Sequence, residues 1–215
     1  MIADRGMCNY QNIFHLLDQN NGYIIAKSLL KSSKSEQEWA YSDMDFIHEN
    51  KDFKYKSRIM KRTIKDSGGE KRTVTEKVIV YWSRNFYERD LHENARFLEV
   101  LEKILENPKG FRITDMQARM LRPFFKGDFI NADTGEVIAS SKLKALLDKE
   151  KLEEFKSHFG YYEIVTSEIN MPVPEVIEKY HGLTRIEDQF RVMKSDLKTR
   201  PVYVRTKEHI EAHLL

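Results

Sequence analysis

A carboxylate in the middle of an apolar helical stripe calls for a chemical or structural reason. Between Val173 and Lys194 the chain reads V-P-E-V-I-E-K-Y-H-G-L-T-R-I-E-D-Q-F-R-V-M-K. With about 100° advanced per residue, Val176, Tyr180, Leu183, Phe190 and Lys194 fall within about 60° of Glu187. Glu175, Glu178, Lys179 and Asp188 mark the solvent face. A carboxylate so placed must pair with a cation, bind a metal or hold its proton to higher pH. Arg185, Arg191 and Lys194 are the candidate ion-pair partners. A second acid, Asp4, follows the apolar stub Met1-Ile2-Ala3 and precedes Gly6, which permits a turn. An acid just past a strand's carboxyl end is where α/β folds place chemistry; capping the next helix is the structural alternative. Between Lys51 and Arg72 nine Lys or Arg face three acids. Lys54, Lys56, Arg58, Lys61 and Arg62, with Phe53 and Tyr55 among them, suit contact with phosphates and stacked bases. The alternative there is an edge hairpin protected by lysines. His209 and His213 are four apart, but position 210 is not Glu, so H-E-x-x-H is absent and no metal site is expected there.

The spacing Y-x6-E-x6-K on one helix resembles the Y-R-E-K signature of insertion-sequence DDE transposases. The branch it resembles carries a large insertion in its RNase H-like catalytic domain, before the last acid. The run Y-H-G-L-T-R-I-E-D-Q-F-R-V-M-K-S-D-L-K-T-R-P-V-Y-V and the A-D-R-G context of Asp4 are both similar to that branch. The resemblance implies that Asp4 and Glu187 are the second and third catalytic carboxylates, holding Mg²⁺ or Mn²⁺. It implies DNA contact by Tyr180 and Lys194, which fall on signature positions, and by neighbouring Arg191. Leu183 stands where the signature has arginine; Arg185, two residues on, is expected to cover part of that role. The implied partners are the DNA ends of a transposon and, in the intact family, a second subunit.

The elements that must position these residues are legible in the pattern. The 215 residues carry a net charge of +2, so any nucleic-acid argument rests on local clusters. One cysteine, Cys8, excludes an internal disulfide framework and fits a reducing cytoplasm, with nucleoid association implied by the resemblance. No leader and no apolar run of about 18 residues points to a membrane. Helices are expected at Asn9–Gln19, Asn85–Asn107, from Ser140 or Ser141 to His158, at Val173–Lys194 and at Lys207–Leu215. Strands are expected at Gly22–Ser28, Phe53–Ile64, Thr73–Trp82 and Tyr161–Ile169, with a hairpin in Leu121–Ser140 and a polar loop over Lys31–Glu38. The fold class is therefore α/β, a frame interrupted by a β-rich insertion with helices, and the resemblance implies that the frame is a partial RNase H-like core. Residues 1–28 carry the second-Asp segment, 29–160 the inserted subdomain and 161–215 the remainder of the core with the Glu187 helix.

In the resembling family the first acid lies on an earlier strand, and the chain begins three residues before Asp4. The expectation is a truncated transposase, inactive alone in DNA cleavage and strand transfer. Ile2, Ile24 and Ile25 are expected to lose part of their cover. The alternatives are a non-catalytic DNA-binding or subunit-mixing fragment, and a structural protein in which Glu187 is only a buried ion pair.

Overall fold

A computed structural model describes residues 1–3, 6, 8–65, 68–107, 113–130, 137, 143–144 and 146–195; side chains of residues 10, 184–188, 190–191 and 193–195 are outside the description. Six strands, β1 (Ile2–Ala3), β2 (Ile24–Lys27), β3 (Ile47–Asn50), β4 (Phe53–Lys65), β5 (Lys71–Ser83) and β6 (Tyr161–Thr166), form one mostly antiparallel sheet in the order β1-β2-β6-β5-β4-β3. β1 runs parallel to β2, with Ile2 opposite Ile24 and Ala3 opposite Ile25. The helices are α1 (Tyr10–Asp18), α2 (Lys34–Tyr41), α3 (Arg84–Glu106), α4 (Asp115–Leu121), α5 (Lys149–Ser157) and α6 (Val173–Ser195). The chain is thus a mixed α/β protein, and among the described residues no helix is long and apolar enough to cross a membrane.

Local sequence sets the helix starts. Asn9, Ser83 and Asp148 cap α1, α3 and α5 by accepting a backbone N–H from the first turn. Thr114 and Gln117 form a reciprocal capping box on α4. The expected polar loop at Lys31–Glu38 is instead largely α2. Ser33 and Glu36 exchange hydrogen bonds there, each backbone N–H meeting the other's side chain at 3.0 and 3.3 Å. That box supplies the start that an apolar period would otherwise signal. Within the helix expected from Ser140 or Ser141 to His158, Leu143, Lys144 and Leu146 are helical, Leu147 breaks the helix to bridge Phe125, and it resumes at Lys149, where Asp148 provides the cap. The hairpin expected in Leu121–Ser140 is represented by a single antiparallel bridge between Ile130 and Val137, its turn lying outside the described residues. So does the Lys207–Leu215 helix.

The chain divides into two compact units. The first joins residues 1–37, 56–80 and 162–215, so the outer part of the β4–β5 ribbon goes with the flanking segments and not with the expected insertion, 29–160. Its core is Ile13, Phe14, Tyr23, Ile24, Ile25, Ile64, Val78, Ile79, Ile164, Val176 and Ile177. Ile24 and Ile25 are buried, against expectation, because β6 pairs along β2 from Lys27–Glu163 to Ile24–Thr166 and α6 packs against β1 and β2. Ile2, on the edge strand, stays partly exposed. The second unit, residues 38–55 and 81–161, is built on Phe97, Leu101 and Ile104 of α3 against Leu121, Phe124, Phe125, Phe129, Leu143 and Leu152.

Candidate functional site

Both acids singled out by pattern belong to the first unit. Asp4 directly follows buried Ala3 at the end of β1, and lies outside the described residues. Glu187 lies inside α6, an unbroken helix of 23 residues despite Gly182; its side chain, and those of Arg185, Arg191 and Lys194, lie outside the description. Tyr180 and Leu183 are half-buried on the same helix, and the Tyr180 ring stands 6.0 Å from that of His181. Burial pulls the His181 imidazole below its usual pKa, so it is neutral at pH 7. Seven residues of helix separate Tyr180 from Glu187, a rise of about 10 Å. In the strand–helix–strand unit β1–α1–β2, β1 and β2 form a parallel pair, and α6 packs on both strands.

At the carboxyl end of β2 lies a cavity of about 360 Å³ lined by Cys8, Asn9, Lys27, Lys31, Arg62 and Glu76, among others. Behind it two cations meet three carboxylates. Lys27 Nζ is 3.3 Å from Glu36 and 3.4 Å from Glu163. Arg62 donates to Glu36 at 2.5 Å and to Glu76 at 3.1 Å. The Tyr23 hydroxyl donates to Glu76 at 2.7 Å, and the Ser32 hydroxyl to Glu163 at 3.1 Å. The acids differ in what this costs them. Burial raises the Glu36 carboxyl, but Arg62, Ser33 and Lys27 outweigh it and hold it at about 2. At Glu163 burial wins over Lys27 and Ser32, and the pKa is raised. Burial, then Glu76, keeps Tyr23 protonated well above the usual phenol range. Burial also pushes the Cys8 thiol up, against Lys27, so Cys8 is no thiolate nucleophile at neutral pH. The pattern V-T-E-K-V carried a signal of this network: strand alternation sets Glu76 in one row with Val74 and Val78, where only a paired acid is stable.

The five basic residues expected to meet DNA fare unequally. Lys56 is 1% exposed. Lys54, in the second unit, pairs with Asp43 at 3.0 Å and sits 4.5 Å over the Phe46 ring. Arg62 serves the carboxylate network, and Arg58 is half-buried. Lys61 alone of the five is exposed. The reason is strand parity: even-numbered residues of β4 face inward and odd-numbered ones outward. Selecting by charge without phase mixes the two rows, and it passes over Lys65 and Lys71, which are exposed.

Among the described residues no group of three or more His, Cys, Asp or Glu is arranged to hold a metal ion. Asp4, the Glu187 side chain, His209 and His213 lie outside that set. Comparison with protein-family models, with curated proteins and with solved structures finds no match.

Proposed function

We propose that this chain is a portion of an insertion-sequence DDE transposase, its first unit an RNase H-like core in which Asp4 and Glu187 are two of three carboxylates serving DNA cleavage and strand transfer. The observation that carries the reading is the parallel pair: Asp4 leaves the carboxyl end of β1 while the Glu187 helix packs on β1 and β2. Ligands of open α/β sheets gather at such ends. The Y-x6-E-x6-K spacing on α6 supports it from the sequence side. The donor set suits the metal, since carboxylate oxygens are what Mg²⁺ and Mn²⁺ prefer. When bound, such ions would stabilise charge on the attacking and leaving oxygens of a phosphodiester. Asp4 and Glu187 would hold them, and Tyr180, Arg185, Arg191 and Lys194 would line the DNA path along α6.

The test is Mn²⁺ binding to the purified chain, read by water proton relaxation. Asp4→Asn and Glu187→Gln are each expected to weaken binding at least tenfold, and Asp18→Asn to leave it unchanged. Equal affinity in all four proteins would overturn the assignment and return Glu187 to the ion-pair role.

A further inference from the structure

The outer part of the β4–β5 ribbon, residues 56–80, lies wholly in the first unit. Its two faces differ in how their cations are engaged. The inward row holds Lys56, Arg58, Arg62 and Ile64 of β4 with Arg72, Val74 and Glu76 of β5. This row is occupied within the protein. Arg72 reaches Asp18 at 2.8 Å and stands 4.9 Å from the Phe14 ring, both on α1, and Arg62 reaches Glu36 on α2.

The outward row reads Ser57, Ile59, Lys61, Thr63 and Lys65 on β4, then Lys71, Thr73, Thr75 and Lys77 on β5. It contains no acid. Ile59 is 59% exposed, and Lys61, Thr63, Lys65, Lys71 and Thr73 are all exposed. The Thr63 and Thr73 hydroxyls meet at 3.4 Å, which sets the two strands side by side. Lys77 donates to the Met171 carbonyl at 2.6 Å and so marks the inner limit of the open face. Lys61 and Lys65 are about 13 Å apart along the strand, and Lys71 lies on the strand beside them.

We infer that this face is a docking surface for the phosphate backbone of duplex DNA, with Lys61, Lys65 and Lys71 as its cations and Thr63 and Thr73 as hydroxyl donors. Charge complementarity selects the partner. An acid-free row of lysines and hydroxyls offers what phosphate oxygens accept, and nothing that reads base edges. The inward cations Arg62 and Arg72 are spent on Glu36, Glu76 and Asp18, whereas Lys61, Lys65 and Lys71 stand on an exposed row without an acid. The choice of DNA as the polyanion rests on the transposase reading. The surface itself needs neither metal nor catalysis.

The experiment is fluorescence anisotropy of the full chain with a random-sequence duplex in EDTA, over a series of salt concentrations. Wild type is expected to bind weakly and to lose affinity steeply with salt. The triple variant Lys61→Gln, Lys65→Gln, Lys71→Gln is expected to lower the slope of log K against log salt by about 2.7 if each lysine meets one phosphate. A matched triple elsewhere, Lys103→Gln, Lys149→Gln, Lys151→Gln, is expected to leave the slope unchanged. Equal slopes in both triples, no binding by wild type, or binding to anionic vesicles in preference to duplex would each overturn the inference. Because EDTA removes the metal, loss of the Asp4–Glu187 assignment would leave this result standing, and the reverse also holds.

Discussion

Glu163 and Glu36 share Lys27 yet titrate in opposite directions, and this fixes an acid–base signature for the first unit. The Glu163 carboxyl is raised in the folded protein, so between its unfolded and folded pKa the native state binds more protons. Stability contributed there is present at low pH and is lost as pH rises through the folded value. Glu36 is held at about 2, so its contribution is full above the ordinary carboxylate pKa and is lost as pH falls toward 2. Urea midpoints measured across pH 3–8 are therefore expected to flatten on the alkaline side in Glu163→Gln, where the amide still accepts from Ser32. Glu36→Gln is expected to cost about 3 kcal/mol near neutrality by stripping Arg62 and Lys27 of a shared partner. A Glu163→Gln profile that still descends with rising pH would show that its charge is not the source of the descent.

Glycine separates the elements that tolerate a side chain from those that do not. A Cβ added at Gly182, in the middle of α6, would meet nothing within 4 Å. Gly160, before β6, has φ of +83°, and a Cβ there would lie 2.6 Å from the Trp82 ring and 2.9 Å from Tyr87. Gly182→Ala is expected to stabilise by about 0.5–1 kcal/mol, and Gly160→Ala to destabilise by about 2–3 kcal/mol. Thermal denaturation of both proteins checks the pair, and a destabilised Gly182→Ala would mean that α6 needs its flexible point. Elements of this kind were largely legible from pattern. The amphipathic stripes of α1 and α3 and the β-branched runs of β2, β5 and β6 carry the period of their own structure. What escaped depends on phase or on polar partners. Lys56 and Lys61 look alike until strand parity sends one inward. The α2 start depends on a Ser33–Glu36 exchange, with Ala40 its one fully buried apolar side chain. The two acids picked out by pattern, Asp4 and Glu187, lie outside what the structure describes at side-chain level, and the Arg62–Glu76–Glu36 network escaped because it required three distant segments to meet.

At the scale of the whole chain, the sheet is assembled out of sequence order. β6, the last strand among the described residues, lies between β2 and β5. No fragment that stops before Tyr161 can pair β2 with β6. A chain ending at Gly160 is expected to lose amide protection at Ile24–Lys27 while keeping it in α3, whose core partners Leu121, Phe124 and Leu152 are all present. Hydrogen exchange read by mass spectrometry distinguishes this from cooperative loss of both, which would show that the second unit has no independent stability.

The pairing of Lys27 with Glu163 spans 136 positions of sequence. In polymer terms this is a single ring closure, with a length-dependent entropy cost of about 4 kcal/mol and only about 0.6 kcal/mol more for each doubling of the ring. Residues 56–80 return to the first unit and subdivide that ring, so the latitude to gain or lose residues belongs to the segment between β5 and β6, provided that its two ends still arrive at neighbouring strands. Length variation across generations is expected to accumulate there and to spare the β1–α1–β2 segment, where Cys8, Asn9 and Ile13 line the cavity.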